Sequence, residues 1–228
     1  MSRHHACVSK WWVTAAERRP PLTVHLCGRV RRGVTENAAI QRAVAAGARC
    51  IEHGHLMDVT TAKLMVEKNI WLSTQPFVSE DDTVTLTGQS RINLLQVIAG
   101  TEKVYSLVKE YKIKTAFGSN LLFSIKLTNR QGLMPTHLTR WYDKADILRM
   151  ATSINAELLA MSGARNPYEG ALGVIEETAL ADLLVVDGNP IDRIDIVATP
   201  EKNFVMIMKD GEIYKNTMLT QLTKVESI

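Results

Sequence analysis

Cysteine is scarce: the 228 residues hold three, Cys7, Cys27 and Cys50. An odd, sparse set does not read as a disulfide framework, which points to a reducing, cytoplasmic setting. No apolar run reaches the roughly 18 residues that a membrane helix needs, so no membrane partner is expected. A glycine-rich phosphate loop of the usual spacing is missing, as are a Cys-x-x-Cys pair, an internal repeat and a low-complexity segment. Ser73 and Ser119 have no histidine partner in a nucleophile motif. What remains, with 46% apolar and 22% charged residues, is a chain able to build one sizeable core or two small ones.

The net charge of +3 hides an asymmetry. Residues 1–34 hold seven of the 27 basic residues and one of the 24 acids, Glu17, so the remainder is mildly acidic. Three readings of this basic head stand side by side: a targeting peptide, a nucleic-acid-binding arm, and a segment foreign to the fold. Trp11 and Trp12 beside basic residues are the only hint of base stacking. Two aromatics do not make a platform, and no nucleic-acid partner is expected.

From Thr35 onward the periodicity is clear. Thr35 is placed to cap a helix in which Ile40, Ala43, Val44 and Gly47 recur at helical spacing. Residues 49–53 read as a short strand, and Asp58 as the cap of a helix that carries Ala62, Met65 and Val66 inward. Residues 70–75 form an apolar strand, 76–90 a polar loop, 91–111 a long helix and 114–118 a strand ending in glycine. Asp143 caps one further helix with Ile147, Met150, Ala151, Ile154 and Leu158 on one face. Strand and helix alternate, which argues for βα units around a parallel sheet. Near residue 165 the pattern changes to short strands at 173–176, 181–187, 204–208 and 212–214, punctuated by Asp187-Gly188-Asn189-Pro190 and Asp210-Gly211.

The residue richest in chemistry is His53, which closes a strand in Ile51-Glu52-His53-Gly54-His55. At the C-terminal mouth of a parallel sheet an imidazole is well placed to ligate zinc, although a strand-end histidine is more often a structural hydrogen-bonding residue. His55 reads as a loop residue, His137 as a packing or surface residue, and His4 and His5 as a solvated terminus. His25 ends a possible strand, Leu22–His25, and two strand-end histidines in successive βα units suit a metal at a barrel mouth. Asn120 follows the strand at 114–118; its amide carries no charge and takes up no proton at neutral pH, so on its own it reads as a turn residue.

Several segments together resemble the metal-dependent amidohydrolase superfamily, in the branch of imidazolonepropionase-like enzymes and prolidase-like dipeptidases. Residues 38–58, including Gly47-Ala48-Arg49-Cys50-Ile51-Glu52-His53-Gly54-His55, resemble the family's sixth-strand metal motif. Lys114-Thr115-Ala116-Phe117-Gly118-Ser119-Asn120 resembles the eighth-strand motif, which normally ends in aspartate. Residues 151–163 resemble the helix that follows, and 173–177, 181–190 and 208–214 the family's β-sandwich tail, with Thr178 where that tail often carries glycine.

The resemblance implies a (β/α)8 barrel with a divalent metal, zinc by expectation, at its mouth, and hydrolysis of an amide or dipeptide carbon–nitrogen bond in a small-molecule substrate. It implies His53 as the sixth-strand ligand and Asn120 at the position of the aspartate that acts as base. His25 is a further candidate ligand on the fifth strand, although the family's spacing back from Thr35 falls on Arg32. Counterparts of the first-strand histidine pair and the fourth-strand lysine are missing. Such a barrel needs about 250 residues, so the expectation is a partial barrel, strands five to eight, over residues 35–165, with a small β-sandwich portion over 166–217 and a flexible terminus over 218–228. His53 and Asn120 are expected on neighbouring strands, with exposed barrel edges favouring a homo-oligomer. An impaired enzyme or a non-catalytic fragment follows from the short ligand set. The resemblance is read as ending at Thr35, with the head a shifted or wrongly joined reading frame.

Overall fold

The computed structural model describes residues 36–121 and 125–218, together with the backbone of 22–25. Strands β1 (Leu22–His25), β2 (Ala48–Glu52), β3 (Trp71–Thr74) and β4 (Thr115–Phe117) form one sheet in the order β1-β2-β3-β4, every pair parallel. Helices α1 (Glu36–Ala45), α2 (Val59–Glu67) and α3 (Gly88–Tyr111) alternate with β2, β3 and β4. Chain order and spatial order coincide, as in a sector of a barrel rather than a doubly wound sheet. The expected α/β, partial-barrel architecture is therefore present; Thr35, expected as a helix cap, lies outside the described residues, as does nearly all of the basic head.

Both faces of the sheet are covered, which is why the strands read as apolar runs rather than alternating ones. On the outer face Ile51 and Leu72 pack with Ile40, Ala43, Ala62, Met65, Val104 and Val108 of the three helices. Asp58 caps α2 as expected, accepting from Thr61 N at 2.8 Å. Of the three residues expected to point inward from α2, Ala62 and Met65 are fully buried, but Val66 is 46% exposed. Val66 is one position past Met65, about 100° further round the helix, and falls on its solvent side. At the end of α3, Tyr105 stacks on Trp141 with centroids 4.4 Å apart, and Trp141 Nε1 donates to Glu102 at 2.9 Å.

On the inner face Cys50, Trp71 and Ala116 pack against Ile154, Leu158 and Met161. Between β4 and that layer the chain forms two short helices, α4 (Ile125–Thr128) and α5 (Met134–His137). The single helix expected from Asp143 is in fact two, α6 (Lys144–Ala151) and α7 (Ser153–Ala160). Asp143 does cap α6, accepting from Asp146 N at 2.8 Å. Thr152 breaks the run with φ −123° and ψ −96°, its hydroxyl donating back to Leu148 O at 2.7 Å. Gly173 is packed against the break so closely that a β-carbon there would lie 2.5 Å from the Thr152 carbonyl carbon. The break lets α6 serve the outer core through Ile147 and Met150, and α7 the inner one through Ile154 and Leu158.

Asn155 on α7 pairs with the free edge of β4: its Oδ1 accepts from Phe117 N and its Nδ2 donates to Phe117 O, both at 2.9 Å. One side-chain amide thus takes the place of a neighbouring strand at that residue.

A second sheet is antiparallel, in the order β5-β6-β7, with β5 (Leu183–Val186), β6 (Phe204–Lys209) and β7 (Glu212–Asn216). The helix α8 (Pro200–Asn203) precedes β6. The strand expected at 173–176 is instead a series of turns, because Gly173 and Thr178 both adopt the left-handed backbone, with φ of 69° and 70°. This unit meets the body where Ile194 enters the main core and where a β-carbon on Gly132 would lie 2.1 Å from Val197 O. Among the described residues no helix is long and apolar enough to cross a membrane.

Candidate functional site

The C-terminal ends of the parallel strands form one mouth, and the sequence motifs converge there. His53 follows β2 with φ 71°, and Gly54 with φ 62° continues the turn. A left-handed histidine is strained, and β3 holds it in place. His53 N donates to Ser73 O at 2.7 Å, and Thr74 Oγ1 donates to His53 O at 2.6 Å. The ring is fixed as well: His53 Nδ1 lies 2.7 Å from Gln75 Oε1.

His55 faces inward and is 2% exposed. Its Nε2 donates to Gln75 O at 2.9 Å, and its ring stacks on Phe77 with centroids 5.8 Å apart. Burial lowers its pKa to about 4, opposed by the Gln75 carbonyl and aided by His53, so the imidazole is neutral at physiological pH. The expected loop residue is a buried structural one.

Asn120 lies three residues past β4, with φ 51°, a backbone that asparagine tolerates better than most residues. It shares the mouth with His53, but the two do not follow neighbouring strands. β3 runs between β2 and β4, and Gln75, the first residue past its end, occupies that interval. The expected neighbouring strands are thus separated by β3, because the sheet follows chain order and one strand intervenes between the two motifs. His25 closes β1, and the strand register sets it opposite Glu52. His4 and His5 lie outside the described residues, as do Trp11 and Trp12.

Two residues of the site carried no signal in the sequence reading. Gln75 is 3% exposed and lies under the mouth. Glu52 is a buried carboxyl one residue before His53; burial raises its pKa to about 7, opposed by a hydrogen bond from Ser73. Burial, and then the charge of Glu52, push the Cys50 thiol well above its ordinary value. Glu52 ends one apolar strand and Gln75 directly follows another, and polar positions there are recognisable as functional only once their contacts are known.

The loop at 76–87 borders the mouth and is folded about the buried Asp82, whose carboxylate accepts from Val78 N at 2.9 Å and Ser79 N at 3.0 Å. His137 joins it, with Nδ1 3.2 Å from Pro76 O and 3.6 Å from Asp82 Oδ2. His137, expected as a packing or surface residue, is partly buried and makes these polar contacts.

A hydrolytic metal needs several anionic or imidazole donors on one point. Among the described residues no group of three or more histidine, cysteine, aspartate or glutamate side chains is placed to hold one. At the mouth His53 has the chemistry of a ligand, Asn120 has only a neutral oxygen, and the Glu52 carboxyl is buried with Ser73. The described donors do not fit a complete metal centre.

The model of the amidohydrolase family matches residues 7–216. The match begins well before Thr35, so the resemblance reaches into the basic head instead of stopping at its border. No curated protein matches the chain. Among solved structures, a crystal structure of an amidohydrolase aligns at 29% identity with a TM-score of 0.70, covering 86% of this chain and 45% of that one. A prolidase in complex with N-methylphosphonate-L-proline aligns at 27% identity and TM-score 0.70, covering 85% and 45%. A Xaa-Pro dipeptidase with methionine bound in its active site shares the fold, at 24% identity and TM-score 0.67 over 86% and 45%. The chain spans less than half the length of these relatives.

Proposed function

Because the chain belongs to the amidohydrolase family, we propose that its mouth is the part contributed by strands six to eight to a metal-dependent site for hydrolysing a carbon–nitrogen bond. The substrate class is a small amide or a dipeptide of the Xaa-Pro type, with an imidazolone-like ring amide as the other candidate. A prolidase among the solved relatives supports the dipeptide first. The observation that carries the reading is His53, clamped at a strand end by backbone and side-chain bonds with its ring locked by Gln75.

By themselves the described residues do not complete that site. Asn120 stands where the family's base would be, and a carboxamide neither takes up a proton at neutral pH nor offers an anionic oxygen. The expected behaviour is therefore zinc below about 0.1 equivalent after dialysis against a mild chelator, and no hydrolysis of acyl-amino acids or dipeptides, because a metal site's affinity rests on its full set of ligands. Asn120→Asp alone should not restore turnover. Elemental analysis showing stoichiometric zinc would overturn this account and promote His25 to a ligand; metal-dependent turnover in Asn120→Asp would overturn it by showing that the missing ligands are not essential.

A further inference from the structure

Gln75 bonds to both histidines of the mouth through oxygens of different kinds. Its main-chain carbonyl lies 2.9 Å from His55 Nε2, and its side-chain Oε1 lies 2.7 Å from His53 Nδ1. Carbonyl oxygens only accept. Each short contact therefore places a proton on the imidazole nitrogen involved: Nε2 in His55 and Nδ1 in His53. The two rings, with centroids 6.3 Å apart, take opposite tautomers, both set by one residue. In neutral His53 the lone pair is then on Nε2.

The third strand end belongs to the same arrangement. The Gln75 side-chain nitrogen lies beside Gly118, where an added β-carbon would come within 3.1 Å of it and 3.8 Å of Ser73 Oγ. Glycine at 118 leaves the carboxamide the room it occupies. The carboxamide is enclosed, Gln75 being 3% exposed, so solvent does not compete for its oxygen.

We propose that Gln75 is a positioning residue that holds His53 in the Nδ1–H tautomer and so makes Nε2 the reactive nitrogen of the mouth, with Gly118 kept small to admit its carboxamide. This rests on the reading of His53 as the reactive imidazole. A residue that served only packing would tolerate any substitution of similar volume. A positioning residue requires an acceptor at this point, whether or not that acceptor is an amide.

The test is the tautomer itself, read by long-range proton–nitrogen correlation NMR on the full chain labelled with nitrogen-15. It is run at about pH 8.5, where an imidazole of ordinary acidity is neutral, and the signals are assigned through His53→Asn and His55→Asn. The unsubstituted chain should show His53 as Nδ1–H and His55 as Nε2–H. In Gln75→Leu the His53 ratio of Nδ1–H to Nε2–H should fall about tenfold, the equivalent of one lost hydrogen bond, while His55, bonded to the main chain, keeps its tautomer. Gln75→Glu should retain Nδ1–H, because a carboxylate also accepts. Gly118→Ala should shift the ratio in the direction of Gln75→Leu, and it serves if the leucine variant does not fold. His53 as Nε2–H in the unsubstituted chain, or an unchanged ratio in both Gln75→Leu and Gly118→Ala, overturns the proposal. Neither metal nor substrate enters the measurement, so it stands or falls separately from hydrolysis.

Discussion

His53 in the parallel-sheet body and Thr178 in the antiparallel-sheet tail have almost the same backbone, with φ of 71° and 70°, yet sit in opposite surroundings. His53 is tied through its N–H, its carbonyl and its ring to β3 and the residue that follows it. Thr178 is exposed, in a run of turns before β5. The same contrast separates the two regions as a whole. Leu72 of β3 is fully buried, whereas Leu184 of β5 is 57% exposed, and Val205 is the one buried residue in β5, β6 and β7. Unfavourable backbone persists in the body because neighbours hold it there. In the tail no described residue ties Thr178 by a hydrogen bond in that way. Substitutions in the body should therefore destabilise, and those in the tail should do little or even help.

The largest effect tests that contrast with one residue type. Leu72→Ala opens a cavity between β3 and the helices that cover it and should lower unfolding stability by about 2–5 kcal/mol. Leu184→Ala removes a side chain that is more than half in water and should cost under about 1 kcal/mol. Urea titrations of both variants decide the matter. Equal losses would mean that the outer face of the tail sheet is covered in solution, and the contrast between the regions would collapse.

A smaller effect is expected at the edge of the body. Asn155→Ala leaves the Phe117 N–H and C=O without their amide partner, at a cost of about 1–3 kcal/mol if water cannot replace it. Asn155→Asp sharpens the reading: a carboxylate still accepts from Phe117 N but cannot donate to Phe117 O, so it should lie between the native residue and alanine. Hydrogen exchange at the Phe117 amide should speed up in the alanine variant. Unchanged exchange would show that the strand edge does not depend on α7.

The body was more legible in the sequence than the tail, for a physical reason. β2, β3 and β4 are largely buried, so their apolar runs are strong signals, as are the glycines after β2 and β4, and His53 and Asn120 could be placed at strand ends. Gln75 stayed hidden because its role lies in a contact with a residue 22 positions away. The break at Thr152 stayed hidden because apolar residues continue at helical spacing through it; the close approach of Gly173, twenty-one residues later, is a tertiary contact that no local pattern announces. In the tail, 173–176 carries apolar residues suited to a strand, but backbone angles at Gly173 and Thr178 turn the chain away from one.

The smallest expected effect is a gain in stability, at Thr178. A β-branched residue at φ 70° is strained by about 1–3 kcal/mol, because its side chain crowds the adjoining backbone in the left-handed region. Glycine adopts that conformation freely but loses more entropy on folding, about 0.5–1 kcal/mol. The exposed threonine side chain gives up little when removed, so Thr178→Gly should stabilise the chain by about 1 kcal/mol and raise its melting temperature by a few degrees. The companion change in the body, His53→Gly, relieves a similar angle but removes the ring bonded to Gln75, and should not stabilise. Calorimetry on the two variants separates the possibilities. A lower melting temperature for Thr178→Gly would mean that the threonine is held by contacts as His53 is, and that the tail and the body do not differ in the way their backbones suggest.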